Sequence, residues 1–281
     1  MKRIALMLAM LLLVCSAAAA EFDGKKMINV ISREDGSGTR GAFVELTGVE
    51  QKVDGMKMDM TTEDAQITNS TAVMLAAVAG DDYAIGYVSL GSMSDSVKAV
   101  KIEGVEATAE NVAAGSYRIA RPFCIAYQSD KLSALGSDFI RYVMSAEGQA
   151  IVENNGYVAA GEAEAYAGTM PEGKLVIAGS SSVSPVMEKL AESYRAINAG
   201  AEIEIQTSDS TTGMTAAMDG SCEIGMASRA LKEAEAAVLD STVMAMDGIA
   251  VIVNHANPIE ELSAEQICAI YTGEVMSWNE I

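Results

Sequence analysis

The sequence predicts an α/β protein of two modest lobes with mainly parallel sheets. Strand-like and helix-like runs alternate along the chain. Polar turns rich in Ser, Thr and Gly sit where strands end or helices begin. In open α/β sheets, ligands bind outside the carboxyl ends of strands, where such turns converge. The length of 281 residues suits two modest lobes rather than one large core.

The first twenty residues read as a secretory signal. Lys2 and Arg3 are the positive start, Ile4 to Val14 the apolar region, and Ala18-Ala19-Ala20 the cleavage site. The rival reading is a lipid anchor at Cys15, but Val14 before it is bulkier than lipoprotein processing prefers. No other apolar run is long enough to span a bilayer, so an exported mature chain is expected. Met27 to Ile31 then reads as a strand, residues 33–40 as a tight turn, and Gly41 to Leu46 as a helix. Asn69-Ser70-Thr71 starts another helix in the second lobe and could line a ligand cleft, but is ranked as a cap. Ile119 to Tyr127 is a near-continuous apolar strand. Residues 161–173 have no apolar period and read as a linker.

Lys174 to Gly179 is a strand leading into Ser180-Ser181-Ser182. Pro185 suits the first helical position, and Val186, Leu190, Tyr194 and Ile197 mark one helix face. Ala201 to Gln206 is a second strand. Ser210-Thr211-Thr212-Gly213 opens a helix, with Met214 and Met218 apolar at a four-residue spacing. Cys222 to Ala227 is a short strand ending at Ser228-Arg229, and Gly248 to Asn254 is a second near-continuous apolar strand.

Composition excludes several function classes. The formal charge is −20 even with Lys2 and Arg3 counted, which argues against nucleic acid and anionic membrane surfaces as partners. It also means that any anion site works locally, through N–H groups, hydroxyls and one or two cations. Cys124, Cys222 and Cys268 match no zinc spacing and read as buried small hydrophobes. His255 is the single histidine, and neither a Gly-x-Ser-x-Gly elbow nor a Walker phosphate loop is present. The eighteen methionines read as adaptable core packing.

The most informative stretch is Arg33-Glu34-Asp35-Gly36-Ser37-Gly38-Thr39-Arg40. A strand, a Gly/Ser turn and a helix start form an oxyanion site, because the first helical N–H groups lack intrahelical partners and the helix dipole favours negative charge there. Ser37 and Thr39 add hydroxyl donors, and Arg33 a bidentate fork. Asp35 repels a fully ionised anion but can accept a proton that the ligand carries, which hints at phosphate over sulfate. The bland alternative is a solvated Asp-Gly turn.

This run resembles the signature of extracytoplasmic phosphate-binding proteins of ABC phosphate importers, and the resemblance covers nearly the whole mature chain. It implies a type II periplasmic-binding-protein fold: two Rossmann-like lobes joined by two hinge strands. Residues 128–160 plus 174–247 would form lobe one, residues 22–118 plus 255–281 lobe two, and residues 119–127 and 248–254 the crossovers. It implies that Ser181 and Ser182 contribute the first phosphate loop, Thr211 beside Ser210 the second, and Arg33, Asp35, Ser37, Gly38 and Thr39 the third. Ser228 is expected near the ligand. Helix capping is the bland role for Ser181, Ser182 and Thr211. Some members carry an aspartate where Arg229 stands, so Arg229 could face the ligand, pair with an acid or be solvated.

The resemblance also implies a circular permutation. Family members begin with a segment like 174–281 and continue into one like 27–160, the reverse of the order here. A duller account is a misassembled or truncated gene. The expected function is capture of inorganic phosphate in an inter-lobe cleft and delivery to an ABC-type permease, by a monomer with no cofactor, metal or nucleic acid. A domain-swapped dimer is the alternative to the monomer. Other functional readings are a binding protein for another tetrahedral oxyanion, or an adhesion or signalling module that keeps the fold. A phosphate-ester hydrolase would need a base near its nucleophile or a metal cluster, and the sequence offers neither.

Overall fold

The computed structural model describes residues 22–281; the signal segment and Cys15 lie outside the described residues. The chain builds two like βαβαβ units. The first runs β1 (Asn29–Arg33), α1 (Gly38–Leu46), a hairpin of β2 (Glu50–Val53) and β3 (Met56–Asp59), then β4 (Gln66–Thr68), α2 (Thr71–Ala79) and β5 (Ala84–Ser89). Short strands β6 (Lys98–Ala99) and β7 (Lys101–Ile102) and helix α3 (Ala109–Ala113) lead to the long β8 (Ala120–Tyr127). Helices α4 (Ala134–Val143) and α5 (Ala146–Asn154) and strand β9 (Val158–Ala159) follow.

The second unit runs β10 (Gly173–Ser180), α6 (Ser184–Ile197), β11 (Ala201–Ser208), α7 (Ser210–Asp219) and β12 (Ile224–Ala227). After α8 (Glu233–Ala236), the 14-residue β13 (Asp240–Val253) leads to β14 (Glu261–Leu262) and α9 (Ala264–Thr272).

The sheet order is β11-β10-β12-β8-β13-β5-β1-β4, which reads the same from either end. In each unit the first strand lies parallel between the second and the third. The third pairs antiparallel with a strand arriving from the other unit: β12 with β8, and β5 with β13. The two long strands pair antiparallel with each other, with a bulge between Val243 and Ala245. This arrangement results whichever unit comes first in the sequence, so the strand order does not by itself show that the two segments have been exchanged.

Both faces of each half are covered, as parallel strands require. Phe123, Leu135, Phe139, Ile177, Leu190, Tyr194 and Met244 pack one core. Val30, Phe43, Tyr87, Val251, Ile270 and Tyr271 pack its counterpart. Smaller clusters lie on the opposite faces, around Met74 and Ile252 and around Met214 and Ala178. Ile197, expected on the buried face of α6, is instead 46% exposed. It ends the helix, where the chain turns back toward β11. The methionines divide: Met74, Met187, Met214, Met226 and Met244 are core, whereas Met27, Met56 and Met276 are exposed. Cys124 and Cys222 are buried, while Cys268 is partly exposed and lies against the Gly48 carbonyl.

Two seams close the structure. Ile28 N–H donates to the Met276 carbonyl and Asn279 N–H to that of Gly24, so both ends of the described chain meet in one half. In the other half, residues 161–172 hold no helix or strand. They are pinned by Asp138, whose carboxylate accepts from Tyr166 Oη, Tyr194 Oη, Thr169 N and Met170 N.

Candidate anion-binding site

Four helices begin at the boundary between the two halves, each just after a parallel strand: α1 after β1, α2 after β4, α6 after β10 and α7 after β11. Their amino termini bring hydroxyls from both halves within hydrogen-bonding distance. Thr39 Oγ1 lies 2.8 Å from Ser182 Oγ and 3.4 Å from Ser228 Oγ. Thr71 Oγ1 lies 3.3 Å from Ser182 Oγ and 3.4 Å from Ser181 Oγ. Ser180 Oγ donates to Ser228 Oγ at 3.1 Å, and Ser228 N–H donates to Ser210 Oγ at 3.1 Å.

Helix capping does not account for most of these hydroxyls. The α6 N-cap is Val183, with no side-chain cap bond, so Ser181 and Ser182 are not capping. The α7 cap is Asp209, so Thr211 is not capping either; its Oγ1 and N–H both donate to the Gly36 carbonyl across the boundary, each at 3.2 Å. Ser37 does cap α1, accepting from Arg40 N–H. Ser70 caps α2 and leaves the adjacent Thr71 hydroxyl in the cluster. Thr71 thus lines the site, where the sequence suggested a cap.

Close approach of the two halves depends on glycine. A Cβ on Gly38 would lie 2.5 Å from Ser210 Oγ and 2.9 Å from Ser228 Oγ, and one on Gly36 would lie 2.2 Å from an Asp209 carboxylate oxygen.

Three arginines surround the cluster, each held by one carboxylate. Arg33 is buried; its Nε and Nη2 fork onto Glu34 at 2.8 and 2.7 Å, while Nη2 also donates to Ser181 Oγ at 3.1 Å. Arg121 Nη2 donates to Thr39 Oγ1 at 3.0 Å and lies 3.2 Å from Asp247 Oδ2. Burial outweighs attraction in this second pair. It pushes the Asp247 carboxyl up to about 6 against the pull of Arg121, and lowers the Arg121 guanidinium. Arg229 forks onto Glu235 at 2.7 and 2.8 Å, beside Thr211. Of the three roles open to it from sequence, it takes the acid pair.

Asp35 is the expected site residue that the structure does not bring into the cluster. Its side chain is 96% exposed and pairs with Arg40 Nη1 at 2.8 Å. Arg40 also donates to the Arg33 carbonyl and to Asp59, so it draws the turn outward, away from the hydroxyls. The other expected residues do converge: Ser181, Ser182, Ser228, Arg33 and Thr39 in the cluster, and Thr211, Gly38 and Ser37 at its rim. Sequence reasoning missed Arg121, although a lone arginine inside an apolar strand is a signal that could have found it. Asp247, next to the apolar run Gly248–Asn254, carried the same signal.

A periplasmic-binding-protein-like α/β architecture is the class that this fold defines. Residues 21–147 and 161–280 match the PBP superfamily domain model, and the chain belongs to that family. It is 51% identical over 259 residues to a protein of Streptococcus agalactiae named phosphate-binding protein PstS 2, covering 92% of this chain and 88% of that one. A protein of the same name from Streptococcus pneumoniae is 43% identical over 266 residues, 94% of this chain and 91% of its own length. A crystal structure of a phosphate-binding protein of a phosphate ABC transporter, from Streptococcus pneumoniae, superposes with a TM-score of 0.72 at 44% identity. That match covers 91% of this chain and 99% of the other. These relatives are named as binding proteins, not enzymes. Among the described residues no helix is long and apolar enough to cross a membrane, and no group of three or more His, Cys, Asp and Glu could hold a metal ion.

Proposed function

We propose that this protein captures inorganic phosphate between its two halves, outside the cytoplasm, and delivers it to the permease of an ABC importer. The observation that carries the reading is the convergence of four helix amino termini and at least six hydroxyls from both halves beside the buried Arg33 and Arg121. A tetrahedral anion there exchanges hydroxyl–hydroxyl contacts for charge-assisted hydrogen bonds, which are about twice as strong. Micromolar affinity needs roughly 8 kcal/mol. Several such bonds at roughly 1.5–3 kcal/mol each supply it after ordering costs.

Ser181, Ser182, Ser228 and Thr211 come from one half, and Arg33, Ser37, Gly38, Thr39 and Thr71 from the other. Ligand bridging both sets favours the closed arrangement, because only that arrangement makes all the contacts. In this reading the halves are the lobes 22–118 plus 255–281 and 128–160 plus 174–247. The pair β8–β13 is their hinge, and the protein acts as a monomer.

Calorimetric titration of phosphate-stripped mature protein with phosphate, then sulfate, tests the reading. One-to-one phosphate binding supports it, and silence from a folded protein sinks it. The outward Asp35 favours a second reading, a site for tetrahedral oxyanions generally, in which sulfate binds within about tenfold of phosphate.

Two variants probe the geometry. Gly38→Ala places a methyl against Ser210 and Ser228 and is expected to weaken phosphate binding at least tenfold, a loss of about 1.4 kcal/mol, while Tm moves little. Arg229→Ala is expected to change affinity less than about threefold, because Arg229 reaches only Thr211 at the rim and not the central hydroxyls that Arg33 contacts. A loss on the scale of an Arg33 variant would place Arg229 on the ligand instead.

A further inference from the structure

We propose that Arg121 is a positioning residue of the anion site, one that commits the Thr39 hydroxyl to donate toward the bound oxyanion. The inference rests on the phosphate-binding reading above. Arg121 in β8 and Asp247 in β13 are register partners in the paired long strands. Both are buried. Arg121 Nη2 and Asp247 Oδ2 are within ion-pair distance but not aligned as a hydrogen bond, and Asp247 Oδ1 accepts from Ser89 instead. Among the described residues Arg121 Nε and Nη1 have no hydrogen-bond partner, and the guanidinium carbon lies 5.4 Å from the centre of the Phe123 ring. The hydrogen bond from Nη2 to Thr39 Oγ1 is therefore the directed contact of this guanidinium.

A guanidinium can only donate, so the Thr39 oxygen is the acceptor in that contact. The single hydroxyl hydrogen of Thr39 must then point elsewhere. The remaining neighbours of the oxygen are Ser182 Oγ and Ser228 Oγ, at the centre of the cluster. A serine or threonine hydroxyl is otherwise ambivalent, free to rotate between donating and accepting. Arg121 removes that freedom and polarises the O–H bond. It thereby makes Thr39 a preset donor for an anion. Arg33 differs, since its Nη2 reaches Ser181 directly and can itself meet the ligand.

A double-mutant cycle separates this role from a structural one. The mature chain is titrated calorimetrically with inorganic phosphate as wild type, Arg121→Met, Thr39→Val and both together. Arg121→Met is expected to weaken binding roughly tenfold or more alone, and less than about twofold in the Thr39→Val background. An equal loss in both backgrounds overturns the inference, as does no loss in the wild-type background. Should Arg121→Met fail to fold because Asp247 is left unpaired, the cycle is run with Arg121→Gln/Asp247→Asn, a neutral pair of similar volume. A wild type that does not bind phosphate overturns the reading underneath, whereas additive losses in a wild type that binds overturn this inference alone.

Discussion

Replacing Arg33 with methionine is expected to weaken phosphate binding by roughly 100-fold or more, the largest single loss at the site. Arg33 is buried beside Ser181 and Thr71, with Nη2 on Ser181 and Nη1 aimed at Thr71, so both terminal nitrogens face the hydroxyl cluster from the strand end that precedes α1. Two charge-assisted bonds to an oxyanion at roughly 1.5–3 kcal/mol each account for that factor. Glu34, its partner, is partly exposed, so losing the pair leaves a carboxylate that water can reach, and the fold should survive. Arg33→Lys is expected to recover only part of the affinity, because an ammonium cannot reproduce the fork. Titration calorimetry on both variants, with circular dichroism for folding, is the check. A methionine variant within about threefold of wild type would move the anion away from this residue.

The second large effect falls on stability. Asp138→Ala is expected to cost on the order of 3 kcal/mol, lowering Tm by roughly 10 °C. Removing this carboxylate strands two tyrosine hydroxyls and the N–H groups of Thr169 and Met170, and frees the segment that joins β9 to β10. Burial pushes the Asp138 carboxyl up, but the hydrogen bonds it accepts outweigh that and hold it below the usual carboxylate range. Its contribution is therefore fully present above about pH 4 and is lost as pH falls through its lower folded-state value. Urea unfolding at pH 7 and pH 3 checks both points. The gap between wild type and Asp138→Ala should narrow at the lower pH, and a constant gap would mean that the charge is not what pins the segment.

That segment shows how far sequence reasoning reaches. Residues 161–173 have no apolar period and were legible as a linker. Their attachment to Asp138 was not, because it depends on an acid more than twenty residues earlier in the chain, on α4. The parallel strands β1, β10, β11 and β12 were legible from their apolar patterns, whereas β4 and β5 were not read. The start of β13 at Asp240 was not, since residues 240–247 are partly polar and become a strand only by pairing with β8.

The candidate site divides the same way. The sequence by itself determined the candidate chemistry: a strand, a Gly/Ser turn and a helix start carrying Arg33, Ser37, Gly38 and Thr39, with hydroxyl-rich turns after β10 and β11 and Ser228 after β12. Those are local rules of helix termini and glycine, which operate within a few residues. Only the tertiary structure decided which side chains meet. It turned Asp35 outward to Arg40, closed Arg229 onto Glu235, brought Thr71 into the cluster and set Arg121 between Asp247 and Thr39. Each of those outcomes is a competition among charges and hydroxyls whose partners come from separate elements, and only packing brings such partners within hydrogen-bonding reach.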